Sequence, residues 1–128
     1  LEICDVGRTA YGVCLSAPPI ETLGNALRLI DVLEWVRRAD GVAPVLVNSW
    51  YRDPEYNEVI GGVSHSMHIT LGAADIVKVG WSPSDVADLI DGSQWTKLLG
   101  LGRYKSFTHV DVRGMIGRPC PARWGSNE

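Results

Sequence analysis

Two of the three histidines in this 128-residue chain lie near aspartates in a pattern that suits metal binding. His68 and Asp75 are seven residues apart, and the small residues of segment 71–74 let the loop fold back, so both side chains can face one point. His109 and Asp111 are two residues apart in a predicted strand, and strand alternation puts both on one face. Two imidazoles, one carboxylate and a water form the ligand set of a catalytic zinc site. The residues therefore indicate a candidate zinc site.

The elements that must position these residues follow from periodicity and from turn residues. Leu23, Leu27, Ile30, Leu33 and Val36 form one apolar stripe and predict a helix over 22–39. The remaining predicted elements are a strand over 44–50, a short helix over 53–60, an irregular loop over 61–73, a strand over 74–79, a helix from 82 to about 91, a turn at 100–102 and a strand over 107–112. The first twenty residues and the tail from residue 114 are expected to be irregular.

Length and composition indicate one globular domain over residues 1–128. Apolar residues make up 45% of the chain and its net charge is −3, which argues against a general nucleic-acid binder. No apolar run is long enough to predict a membrane span, and a monomer is expected.

The cysteine count is odd, because Cys4, Cys14 and Cys120 cannot all pair within one chain. None forms a CxxC pair, which disfavours a cysteine-based zinc site. The alternatives are three free thiols, a Cys4–Cys14 disulfide, or a disulfide from Cys120 to one of the other two.

Four sequence blocks together resemble the M15-type zinc peptidases, the group of D-Ala-D-Ala carboxypeptidases and murein endopeptidases that shares its fold with the hedgehog signalling domain. Segment 66–76, Ser-Met-His-Ile-Thr-Leu-Gly-Ala-Ala-Asp-Ile, is similar to the S-x-H-x-x-G-x-A-x-D signature. Segment 107–114 resembles the second, H-x-D signature, and 100–104 precedes it as in one endopeptidase branch. Segments 48–52 and 56–63 match the upstream block. The resemblance covers about residues 15–115, the expected core of the domain, and implies an α+β fold with a small antiparallel sheet and flanking helices.

The resemblance also implies roles for individual residues. His68, Asp75 and His109 match the three zinc ligands, so Zn²⁺ is the expected cofactor. Arg52 matches an arginine that faces the substrate, where a guanidinium can hold a peptide carbonyl or an oxyanion. Asp111 is expected to act as the catalytic base or to orient the ring of His109.

Three further residues are expected to bind substrate. Ser66 matches the serine before the first ligand, and it either contacts substrate or orients the loop. Trp50 and Tyr51 flank the substrate arginine and are expected to line the groove, although a core position for Trp50 is an equal alternative. Trp124 is hypothesised to pack near the cleft. The lone His65 is expected at the rim, and Arg103, Lys105 and Arg113 are expected to be solvated charges.

This sequence departs from the family pattern at two positions. The glycine expected three residues after the first ligand is Leu71, and Gly72 follows one residue later. The Glu that many relatives have three residues before the last ligand is Ser106, whose hydroxyl cannot replace a carboxylate base.

The expected function is zinc-dependent hydrolysis of amide bonds in peptidoglycan stem peptides or cross-links. The alternative is a non-catalytic zinc-containing binding or structural module of the same fold, suggested by Ser106. The implied setting is extracellular or periplasmic in bacteria, or a phage lysin or virion.

Overall fold

A five-stranded sheet forms the centre of the protein in a computed structural model that describes residues 20–41, 43–52, 58 and 66–125. The strands are β1 (Val45–Ser49), β2 (Ala73–Lys78), β3 (Gly100–Arg103), β4 (Thr108–Asp111) and β5 (Ala122–Gly125), in the spatial order β1-β2-β4-β3-β5. Among the described residues, two α-helices have both ends defined, α1 (Leu23–Arg37) and α2 (Pro83–Asp91). The predicted α+β class is confirmed. The predicted helix over 53–60 lies outside the described residues except for residue 58, which is helical, and Cys4, Cys14 and His65 lie outside them altogether.

The sheet is antiparallel except at one edge. Strands β1, β2, β4 and β3 pair antiparallel in turn, whereas β3 and β5 pair in parallel. The expectation of an antiparallel sheet is therefore wrong for its last strand. A parallel pair needs a long return connection, and the chain supplies it between residues 103 and 122.

Strands β3 and β5 also replace two segments that were expected to be irregular, the turn at 100–102 and the tail from 114. Glycine has low strand propensity, so Gly100 and Gly102 mimic a turn signal in the sequence. In the folded chain the two glycines of β3 leave room for bulky side chains of the adjacent strands β4 and β5. A Cβ on Gly100 would lie 2.5 Å from Asp111 Oδ1, and one on Gly102 would lie 2.6 Å from Trp124 Nε1. Tertiary packing therefore decides the conformation here.

Helix α1 forms where the periodicity predicts it, but its buried face coincides only in part with the predicted stripe, since Val36 is buried and Leu33 is partly buried against the core. Its buried residues are Ala26, Leu29, Val32 and Val36. Leu23, Leu27 and Ile30 of the predicted stripe are exposed. Both sets recur at three- and four-residue spacing, so periodicity alone cannot choose between them.

The core lies between the two helices and one face of the sheet. Helix α2 begins as predicted, because the Ser82 hydroxyl accepts a hydrogen bond from the Asp85 N–H at 3.0 Å. The buried apolar residues of the core are Leu29, Val32, Val36, Ala74, Ile76, Val86, Ala87, Ile90, Leu99, Leu101, Val110 and Val112. None of the described helices is long and apolar enough to cross a membrane.

Candidate metal centre

His68 lies in a short 3-10 turn, Met67–Thr70, just before β2. The Ser66 hydroxyl accepts a hydrogen bond from the His68 backbone N–H at 3.2 Å and so helps to begin this turn. The His68 Nδ1 atom lies 2.7 Å from the backbone oxygen of Trp50. This bond turns the other ring nitrogen, Nε2, toward Asp75 Oδ1 at 3.3 Å.

Asp75 and His109 are direct partners in the β2–β4 pairing, so their side chains emerge side by side. His109 Nδ1 lies 3.0 Å from Asp75 Oδ1, and His109 Nε2 lies 2.8 Å from Asp111 Oδ2. Each imidazole thus has one nitrogen within hydrogen-bond distance of an oxygen of Trp50 or Asp111, while its other nitrogen faces Asp75. This is the arrangement in which outer partners orient metal-binding histidines.

The predicted ligands are brought together by the fold. One ligand atom from each of His68, Asp75 and His109 lies within 4.8 Å of the other two. Two imidazole nitrogens and one carboxylate oxygen are ligands that zinc accepts, and three protein ligands leave a coordination position open. The residues present therefore fit a catalytic zinc ion.

Hydrogen bonds within the cluster determine the charge of its members. Burial opposes ionisation of Asp75, but hydrogen bonds with His109 and His68 outweigh it and hold the pKa of Asp75 well below its usual range. Burial alone would lower the pKa of His109, but its bonds to Asp111 and Asp75 raise it. Asp75 is therefore an anionic candidate ligand at neutral pH.

Asp111 is fully buried, and both of its carboxylate oxygens have hydrogen-bond partners. Arg113 donates from Nε to Oδ1 at 2.8 Å and from Nη2 to Oδ2 at 2.7 Å, and the Gly100 N–H donates to Oδ1 at 3.2 Å. Burial would raise the pKa of Asp111, but the bonds with Arg113 and His109 hold it far below its usual range. An efficient general base has a pKa near the working pH. Of the two predicted roles, the geometry favours orientation of the His109 ring.

A cavity of about 520 Å³ opens at the ligand cluster. Besides the three ligands, its lining contains three arginines, three aromatic residues, a serine and a methionine: Arg52, Arg113, Arg118, Tyr104, Phe107, Trp124, Ser66 and Met67. The predicted substrate residues Arg52 and Ser66 are thus beside the ligands. The backbone N–H of Arg52 also donates a hydrogen bond to the backbone oxygen of His68 at 3.0 Å. This bond connects the arginine to the turn Met67–Thr70, the ligand turn.

Trp50 and Tyr51 are not among the described residues that line this cavity. The Trp50 indole instead lines an apolar recess with Leu29, Ile30, Leu33 and Val47. Its Nε1 donates to the oxygen of Leu71 at 3.1 Å. This bond and the contact between the Trp50 backbone oxygen and His68 Nδ1 both fix the position of the ligand turn.

The two departures from the family pattern have clear positions. Leu71 is fully buried and has φ +67°, in the left-handed region that favours glycine. A glycine in the family pattern therefore suits the backbone here, and Gly72 does not replace it. Ser106 is exposed and lies outside the residues that line the cavity.

The sequence reasoning missed most of the cavity wall. Arg113 was expected to be solvated, but it pairs with Asp111 and its side chain is 23% exposed. The order His109, Asp111, Arg113, with successive members two positions apart and so on one face of an extended strand, is a signal that could have found it. No comparable signal marks Tyr104 and Phe107, which lie in the connection between β3 and β4, or Arg118, which lies between β4 and β5. Arg103, also expected to be solvated, pairs with Asp88 at 2.8 Å. Cys120 is a free, exposed thiol.

Residues 3–111 match the model of the Peptidase M15 family, and the chain belongs to that family. The chain is also 32% identical over 94 residues to the zinc D-Ala-D-Ala carboxypeptidase of Streptomyces albus G. That match covers 73% of this chain but only 37% of the relative's length. No solved structure matches the chain.

Proposed function

We propose that the chain is a zinc-dependent peptidase that hydrolyses amide bonds in peptidoglycan stem peptides or cross-links. The observation that carries the proposal is the convergence of His68, Asp75 and His109 on one cavity in a chain of the Peptidase M15 family. The name of the Streptomyces relative supports both the metal and the class of substrate. A substrate in the bacterial wall implies action outside the cytoplasm, in the extracellular space or periplasm, or as part of a phage.

Zinc, when bound, supplies a Lewis acid that polarises a carbonyl and lowers the pKa of water. The chain's own part is to hold the ligands, and to place the peptide beside them. The Trp50 carbonyl and the Asp111 carboxylate fix the two imidazole rings. The half-buried Arg52 is positioned to bind a peptide carbonyl or the developing oxyanion.

Asp111 is proposed as a positioning residue rather than as the base. Its oxygens already accept hydrogen bonds from Arg113, from the Gly100 N–H and from His109. Ser66 is proposed to orient the ligand turn, since its hydroxyl already accepts from the His68 N–H while the residue lines the cavity.

Digestion of purified murein sacculi tests the proposed function. The protein is incubated with sacculi with and without a chelator, and released fragments are identified by mass. We expect fragments from peptide-bond cleavage, their loss with chelator, and their recovery when zinc is restored. His68→Ala removes a ligand and should abolish release, whereas Asp88→Asn, at an exposed residue, should not.

The alternative is a zinc-containing binding module without catalysis. Ser106 favours this alternative. At the position where many relatives have a Glu, this chain has an exposed serine outside the cavity lining, which supplies no carboxylate that could act as the base. Zinc-dependent release of fragments would exclude it. Stoichiometric zinc binding without release would support it, and absence of zinc binding would contradict both proposals.

A further inference from the structure

The last strand of the sheet places a tryptophan against a metal-ligand residue. Trp124 lies on β5, thirteen residues beyond the end of the Peptidase M15 match at Asp111. Its ring centroid is 5.0 Å from that of His109, and its side chain lines the cavity. In the parallel β3–β5 pairing its partner is Gly102, where a Cβ would lie 2.6 Å from Trp124 Nε1. The absence of a side chain at Gly102 is therefore what lets the indole lie across β3.

Several contacts hold this indole in one place. Trp124 Nε1 donates to the Tyr104 hydroxyl at 2.8 Å, and the Arg113 guanidinium lies 5.0 Å from the centroid of the indole ring. The neighbouring Arg123 anchors β5, because it donates from Nη1 to the Leu99 oxygen at 2.7 Å and from Nε to Asp91 Oδ1 at 3.0 Å. A side chain held by its neighbours in this way is preorganised for binding.

The indole is part of a continuous aromatic wall, made of Trp124, Tyr104 and Phe107. The rings of Tyr104 and Phe107 stack with centroids 4.4 Å apart, and all three residues line the cavity. Because Trp124 also touches the ring of His109, a peptide bond placed at the metal ligands would have its adjacent residue against this wall. Aromatic side chains offer large apolar contact surfaces that suit methyl groups and peptide planes.

We propose that Trp124 is a specificity-determining residue that contacts the substrate and selects a short aliphatic residue, such as alanine, next to the cleaved bond. The proposal rests on the proposed peptidase function and deepens it. It gives the segment beyond the family match a task in substrate recognition, separate from metal binding.

The test uses the zinc-loaded protein and the stem pentapeptide L-Ala–D-Glu–L-Lys–D-Ala–D-Ala. We expect Trp124→Ala to raise KM about tenfold, as for loss of one buried aromatic contact, with zinc content and kcat within about twofold of wild type. Trp124→Phe keeps a ring and should stay within about threefold. Trp81→Ala is the matched control, because the Trp81 Nε1 donates to Asp40 outside the cavity and KM should not change.

A second measurement does not require a folded variant. In ¹⁵N-labelled wild-type protein, the indole N–H signal of Trp124 should shift saturably as the pentapeptide is added, while that of Trp81 stays in place. An unchanged KM for a folded Trp124→Ala overturns the inference, and so does a Trp124 signal that does not move. If wild type cleaves neither sacculi nor pentapeptide, the proposed function fails, and the indole signal alone then shows whether Trp124 contacts the peptide.

Discussion

At the scale of single residues, we expect Asp111 to determine how firmly His109, a proposed zinc ligand, is held. Asp111→Asn removes the charge that accepts from His109 and leaves the Arg113 guanidinium without its partner. We expect zinc affinity to fall about 10- to 100-fold, as for other outer partners of metal ligands. Competition with a chromophoric chelator measures this, with Asp88→Asn as control. A catalytic base would behave differently: zinc affinity would persist and only kcat would fall.

Leu71 combines a buried side chain with a backbone conformation that suits glycine. Leu71→Ala and Leu71→Gly both lose the side chain, at a cost of about 2–5 kcal/mol. Only glycine relieves the left-handed conformation, which costs other residues about 1–2 kcal/mol. We therefore expect the glycine variant to be the more stable by about 1 kcal/mol in urea unfolding.

The same two substitutions at Leu99 provide the control for Leu71. Leu99 is equally buried but has φ −105°, an ordinary extended conformation. There the alanine variant should be the more stable, because glycine loses more chain entropy on folding. The same order of stability at both positions would contradict the backbone explanation.

At the scale of secondary-structure elements, β3 supports the site by lacking side chains. A Cβ on Gly100 would meet Asp111 Oδ1 and Arg113 Nε, each at 2.5 Å. Gly100→Ala should therefore cost about 1–3 kcal/mol of stability and weaken zinc binding through displacement of Asp111. In helix α1, a Cβ on Gly24 meets nothing within 4 Å. Gly24→Ala should be neutral or stabilising by up to about 1 kcal/mol. Thermal unfolding and chelator competition measure both variants, and equal behaviour would refute the role of β3.

The same elements show what sequence patterns can predict. Alternation on one strand placed His109 and Asp111 on one face, and the Ser82-Pro83 signal located the start of α2. These features depend on neighbours along the chain. The buried face of α1 and the pairing of β5 with β3 depend instead on residues far apart in sequence, for which local periodicity carries no information. The wall residue Trp124 was given only a hypothetical place near the cleft for this reason.

At the scale of the whole molecule, the three proposed ligands would join the segment of His68 and Asp75 to His109, which lies 34 residues beyond Asp75. His68 belongs to a turn, Asp75 to β2 and His109 to β4, so a bound ion links all three. Zinc at a thousandfold excess over its Kd should raise the free energy of unfolding by about 4 kcal/mol. Chelator should remove this gain, and His68→Ala should show no zinc-dependent shift in Tm. An equal shift in that variant would place the bound zinc elsewhere.

The parallel pairing of β5 with β3 has a consequence for how the protein is made on the ribosome. Synthesis runs from the amino end, so His68, Asp75 and His109 emerge before Trp124. The β3–β5 pairing can therefore form only after the segment that carries these three residues has been synthesised. Tyr104 and Phe107 precede His109 in the chain, so Trp124 is the last residue of the aromatic wall to leave the ribosome. In the nascent protein, the three candidate ligands are thus all present before the aromatic wall can be completed.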